Sequence, residues 1–216
     1  MKRMLFKVFL LFSLTFALPV FADVMPYYSS SISEYTIGFL QMPNTFKVYL
    51  YPRNDSTVVD TVSLDGYVLK TSGDTLEPNE VYVVQVDNKI SYCIVVDEQD
   101  GWYKILYDKK NNKFGWVKPD DDNDFLRLRE FYSFYGKMFG LYYMKNVDYR
   151  KRGLYSGAYE QSQKIDGFTM VKRIKLHKIS GNWALVTVID VGSKPKIGYI
   201  RWREDNGTIL VFPKIK

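Results

Sequence analysis

Cys93 and His177 are the only cysteine and the only histidine in 216 residues. A nucleophilic thiol needs a base within hydrogen-bond reach, so these two form the one Cys/His pair available. Both stand in strand-like surroundings. Tyr92-Cys93-Ile94-Val95 reads as a packed core segment, and Lys175-Leu176-His177-Lys178 as an alternating basic strand with an exposed imidazole. No Gly-x-Ser-x-Gly elbow is present to support a serine triad through His177. One Cys excludes an internal disulfide and a zinc site built on several Cys, and one His excludes any site needing two histidines. The expectation is a non-enzyme with no catalytic residues, no metal and no cofactor.

Binding chemistry is better supplied. The chain holds 18 Tyr, 14 Phe and 4 Trp, and aromatic faces stack on sugars and on Pro-rich peptide. Trp202 stands between Arg201 and Arg203 just past a closing strand, so it reads as an amphipathic tip with cation partners. A hairpin-capping role is the competing reading. Tyr49 and Tyr51 are further candidates for a ligand groove. Trp102, Trp116 and Trp183 read as core.

The elements that must position these side chains are mostly strands. Phe46–Tyr51, Val58–Val62, Val81–Val86, Ile90–Val96, Trp102–Tyr107 and Phe114–Val117 are short β-type runs separated by turn clusters such as Asp97–Gly101. Glu34–Leu40 could be a first short strand or a turn of helix. The acidic run Asp120–Asp124 lacks the Gly and Glu positions of a calcium loop and reads as a linker and helix start. Phe125, Leu128, Phe131 or Tyr132, Tyr135 and Phe139 recur at three- and four-residue steps, which predicts a helix near 124–139 packed between two halves.

The second half repeats the grammar of the first. Gly101-Trp102-Tyr103-Lys104-Ile105 matches Asn182-Trp183-Ala184-Leu185-Val186, and Gly115-Trp116-Val117-Lys118 matches Gly198-Tyr199-Ile200-Arg201. Val48–Pro52 lines up with Arg152–Ser156. The first copy carries extra residues, which fit an additional hairpin or loop near 66–88. In these motifs the chain resembles the bacterial Src-homology-3 (SH3) domain family, over roughly 44–119 and 152–212. The resemblance implies a mainly β protein with two small antiparallel barrels joined by a short aromatic-rich helix. Their structural markers are Trp102, Gly115, Trp116, Trp183, Gly198 and Tyr199. The expected organisation is 1–22 signal peptide, 23–43 N-terminal segment, 44–119 first domain, 120–151 linker and 152–216 second domain.

Lys2, Arg3 and Lys7, the apolar run Val8–Leu18, and Val20-Phe21-Ala22 have the charge, length and cleavage pattern of a secretory signal. Cleavage after Ala22 would give a secreted or periplasmic protein with no stable membrane span. Charge is unevenly spread. Residues 23–130 hold 11 basic and 18 acidic side chains, net −7, and residues 131–216 hold 16 and 6, net +10. Such halves attract each other, or the basic half meets an anionic partner. The expected partner is a cell-wall or envelope component, peptidoglycan or protein, and not nucleic acid. The alternative is an assembly module whose acidic and basic halves self-associate.

Overall fold

Alternating and doubly buried apolar runs determine which segments pair. The computed structural model describes residues 26, 28–65, 68–73, 75–76, 82–85, 90–120, 124–167 and 171–215. The expected signal segment 1–22 and much of the expected 66–88 insertion lie outside them. The protein is mainly β, with two antiparallel sheets and one α-helix among the described residues.

The first sheet contains β1 (Gly38–Met42), β2 (Thr45–Tyr49), β3 (Val58–Asp65), β4 (Val68–Lys70), β5 (Thr75–Leu76), β6 (Tyr82–Gln85), β7 (Ile90–Gln99), β8 (Trp102–Asp108), β9 (Lys113–Val117) and β10 (Phe125–Arg127). Helix α1 (Leu128–Phe139) leads to the second sheet. That sheet contains β11 (Leu141–Tyr143), β12 (Gly153–Tyr155), β13 (Lys164–Gly167), β14 (Val171–Ser180), β15 (Trp183–Asp190), β16 (Lys196–Arg201) and β17 (Val211–Pro213).

The strand orders carry the duplication. The first sheet runs β10-β1-β7-β8-β9-β2-β3-β4-β5, with β6 also on β7, and the second runs β13-β12-β16-β15-β14-β11-β17. Read from its other end, the second order matches the first strand for strand, from β17 against β10 to β13 against β3. Among the described residues strands β4, β5 and β6 have no counterpart, and they fall in the interval 66–88 where the sequence carries extra residues. Strands β1 and β10 lie outside 44–119, yet they pair within the same sheet. Among the described residues each order is an open path.

Register also repeats. Lys104 pairs with Trp116 and Leu185 with Tyr199; Tyr49 pairs with Trp116 and Tyr155 with Tyr199. Trp102 and Trp183 therefore occupy the same place, two residues before these pairs. The sequence alignment of Tyr51 with Tyr155 is corrected: Tyr49 is the counterpart. A two-residue slip preserves the face of every side chain, so alternation alone does not detect it.

Two cores form on the two faces of the first sheet. Leu40, Cys93, Val95, Ile105, Val48 and Val62 pack together on one side. Phe39, Tyr92 and Ile94 point to the other, where they join Phe131, Tyr132 and Tyr135 of α1 and Ile174, Val186, Trp202 and Phe212 around the second sheet. Strands β1 and β7 are thus buried on both faces, which is why Tyr92-Cys93-Ile94-Val95 is an unbroken apolar run. Phe39 stacks on Phe131 at 4.2 Å, and the Tyr132 hydroxyl donates to the Val211 carbonyl at 2.8 Å.

The helix begins four residues later than the expected 124. Phe125 belongs to β10, where it packs on Tyr103 at 4.6 Å. The Glu130 carboxylate accepts the Arg127 backbone N–H at 3.0 Å, satisfying an amide at the helix start. Leu128, Phe131, Tyr132 and Tyr135 are buried against both sheets, while Phe134 and Met138 are exposed. No helix among the described residues is long and apolar enough to cross a membrane.

Candidate aromatic and cationic site

The site of the second repeat begins at a tight turn. Ser180 pairs with Trp183, so Gly181 and Asn182 form a two-residue hairpin loop, with Gly181 at φ 57°. This turn sets Trp183 as the first residue of β15. Tyr155, at the end of β12, meets it edge-on at 5.3 Å and 80°. The Arg201 guanidinium lies 5.9 Å from the indole centroid, within cation–π reach.

Acids surround that guanidinium. It forms an ion pair with Glu160, and its nitrogens lie 3.4 Å from Glu204 and 2.9 Å from Asp205. Burial lowers the Arg201 pKa, but the bonds it donates to Glu160 and Asp205 outweigh that and hold the group above its ordinary value. Asn182 donates to Asp205 at 2.8 Å and, with Arg201, holds that carboxyl below the usual range. Lys151 reaches Glu204 at 2.7 Å. The result is a cleft of about 280 Å³ lined by Arg150, Lys151, Tyr155, Glu160, Trp183 and Arg201, among others. It offers aromatic edges for an apolar or sugar face, with both signs of charge at the rim.

The first repeat builds the same arrangement. Its turn is Asp100-Gly101, with φ 50° and 74°, which places Trp102 at the start of β8. Tyr49 meets Trp102 at 5.4 Å and 86°, and Lys118 lies 5.9 Å from the indole centroid. Lys118 stands where Arg201 stands. Lys104 lies between Asp97 and Trp116 in register and approaches Phe114 at 5.8 Å. No ion pair among the described residues engages Lys104 or Lys118, so this site is more cationic than its twin.

Two glycines hold both sites closed from beneath. A Cβ on Gly115 would lie 2.2 Å from Val48 Cγ1, and one on Gly198 would lie 2.7 Å from both Leu154 Cγ and the Tyr155 carbonyl oxygen. Only a bare α-carbon lets the closing strand approach the opening strand that carries the tyrosine.

The expected Trp202 tip is not a tip. Trp202 is 1% exposed, packs on Tyr132 at 4.4 Å, and donates its indole N–H to the Gly181 carbonyl at 3.0 Å. The chain bends back after β16, and the Leu210 N–H bonds the Trp202 carbonyl at 2.9 Å, so the indole turns into the shared core. Arg203 contacts the Gly207 carbonyl at 3.3 Å and the Glu34 carbonyl at 3.1 Å, which ties the N-terminal segment down. Of the expected ligand residues, Arg201 and Tyr49 lie in the two sites. Tyr51 is exposed and lies under Arg53 at 5.3 Å. Trp102 and Trp183 are buried, but Trp116 is only half-buried and lies beside Tyr49 in register. Sequence reasoning missed Tyr155 and Lys118, although the repeat alignment already set Lys118 against Arg201. Glu160 carried no local signal, because the β12–β13 loop alone delivers it.

Cys93 is fully buried in β7, and burial pushes its thiol pKa up. His177 lies on the other sheet, with Nε2 2.7 Å from Thr187 Oγ1.

Carboxylates clasp these loops, and their direction of shift gives a pH dependence. The side-chain and backbone N–H groups of Arg150 hold Asp148 down at about 2, and Lys196 holds Asp166 below the usual range, as Asn182 and Arg201 hold Asp205. Groups whose folded pKa is depressed contribute fully above the unfolded value near about 4, and that contribution is lost as pH falls through the folded value. The melting temperature should therefore drop between about pH 5 and pH 2, and Arg201→Gln should flatten part of that drop. Melting curves across this range check it; an unchanged profile in Arg201→Gln would show that the clasp does not couple to folding. No protein-family model matches this chain, and a search of curated proteins finds no match to it.

Proposed function

We propose that the chain is an exported, non-catalytic binding protein built from two SH3-like units. Its ligand is a component of the cell envelope, peptidoglycan or an envelope protein. The observation that carries this reading is the duplicated site: Tyr49, Trp102 and Lys118 in one repeat, Tyr155, Trp183 and Arg201 in the other. Core packing alone does not require a cation over the same indole twice. Export is supported by the basic and apolar pattern of Lys2–Ala22. Closure of each unit as a small barrel belongs to the proposal and is supported by pairing of the opening with the closing strand, Tyr49 with Trp116 and Tyr155 with Tyr199.

Residues 23–216 should co-sediment with purified peptidoglycan sacculi. Tyr49→Ala with Tyr155→Ala should lower the retained fraction at least about fivefold, the loss of roughly 1 kcal/mol of stacking. Wild-type retention no greater than that of an unrelated protein of similar charge would remove the peptidoglycan form of the reading. A second reading is favoured by the −7 and +10 halves: acidic and basic faces of neighbouring chains associate. Heterologous contacts of that kind build rings or chains. Sedimentation velocity should then show salt-sensitive oligomers, and a monomer at all salt concentrations would remove it.

A further inference from the structure

Strand β14 carries a row of cations on the outer face of the second sheet. Arg173 and Lys175 are exposed and pair in register with Ile189 and Thr187. A bulge between Leu176 and Lys178 adds one residue. The His177 ring bonds Thr187 Oγ1, so His177 joins this face, and exposed Lys178 continues it opposite Leu185. Alternate residues of a strand stand about 6.7 Å apart, so the three permanent cations form a line of roughly 13 Å. No ion pair among the described residues engages Arg173, Lys175 or Lys178. Asp190, the acid at the end of β15, turns its carboxylate to the Val191 N–H at 2.9 Å.

The fold does not demand this row. At the equivalent bulge of β7, between Val95 and Asp97, the residue in the place of Lys178 is Asp97. The row belongs to the second repeat, the half with net +10.

We infer that the outer face of β14 is a docking strip for a linear polyanion, a polymer with phosphate groups repeating along its chain. A row one residue wide meets successive charges on one chain. A single phosphate would meet one of them, and a plane of lipid headgroups would leave no reason for the line. The inference rests on the envelope-ligand reading and names a second ligand class for it, on residues other than those of the aromatic sites.

The probe is long-chain inorganic polyphosphate, titrated into residues 23–216 over a range of salt concentrations. Three contacts predict a slope of about −2 in log affinity against log salt. Arg173→Gln with Lys175→Gln and Lys178→Gln should lower low-salt affinity at least about tenfold and flatten that slope. Retention on sacculi stripped of anionic polymer should stay unchanged. Because all three side chains are exposed, the variant should melt with the wild type; if it does not, Lys175→Glu alone is held to the same criteria. Unchanged affinity in the variant overturns the inference, as does equal competition by orthophosphate. Row-dependent binding to phosphatidylglycerol vesicles without polyphosphate binding overturns it in favour of a membrane surface. Wild-type protein that is retained on sacculi but does not bind polyphosphate rejects the strip alone; wild-type failure in both assays rejects the parent reading.

Discussion

Replacing Trp202 by alanine is expected to destabilise the protein by about 3–5 kcal/mol, the range for truncating a large buried aromatic. The indole is 1% exposed, lies 4.4 Å from the Tyr132 ring, and satisfies the Gly181 carbonyl at 3.0 Å. Alanine removes the ring and leaves that carbonyl short of its donor, so a cavity term and a hydrogen-bond term add. Tyr132 itself anchors α1 to β17 through its bond to Val211, so the loss reaches the contact between the repeats. For a chain of this size the melting temperature should fall by roughly 10 °C. Denaturant melting of both proteins checks it. A loss below about 1 kcal/mol would mean that Trp202 is not packed as described.

The second large effect is expected at Gly198. Valine there would place its β-carbon 2.7 Å from the Tyr155 carbonyl oxygen and from Leu154 Cγ. Leu154 is buried and the carbonyl belongs to the backbone, so neither yields without moving β12. Among the described residues Tyr155↔Tyr199 is the one register pair that joins β12 to β16, so the junction with the closing strand rests on it, while β13 pairs along the other edge. Overpacking of this kind costs about 1–3 kcal/mol or more. The larger consequence is on binding, because β12 carries Tyr155 into the cleft. Gly198→Val should therefore lose ligand at the second site even at temperatures where it remains folded, and Tyr155 should become more exposed. Circular dichroism with a nitration assay on the tyrosines separates the two effects. Normal binding with normal stability would show that the close approach does not matter.

Much of this architecture was legible in the sequence because it rests on period and punctuation. The strands from Ile90 to Val117 end at Asp100-Gly101 and at Lys109–Asn112, and such turns show in single residues. The duplication was legible from Trp102 and Trp183 because each follows a two-residue turn that requires positive φ. Trp202 shows the opposite case. Its flanking arginines are a local signal for exposure, while its burial depends on the chain turning back so that Leu210 bonds it. Nothing within a few residues of Trp202 encodes that contact. Phe125 fits a helical stripe at i−3 as well as it fits an edge strand, and its pairing with Leu40 places it in the strand. Lys118 was visible in the alignment, but its place over Trp102 required the strand register.

The two sites differ in a way that bears on their ligands. Arg201 is enclosed by Glu160, Glu204 and Asp205, whereas Lys118 is exposed and faces the Trp102 indole. The second repeat thus places its cation in a charge-balanced cleft, and the first places an exposed cation beside the matching indole. If both sites take the proposed polymer, two moderate sites on one chain would bind it more strongly than either alone.

The most direct test is a ¹H–¹⁵N spectrum of residues 23–216, which contains four indole N–H signals, one for each Trp. On titration with soluble peptidoglycan fragments, the signals of Trp102 and Trp183 should shift saturably, and that of Trp202 should stay fixed. Absence of any shift, or a shift confined to Trp202, would contradict the duplicated aromatic and cationic site as the place of binding.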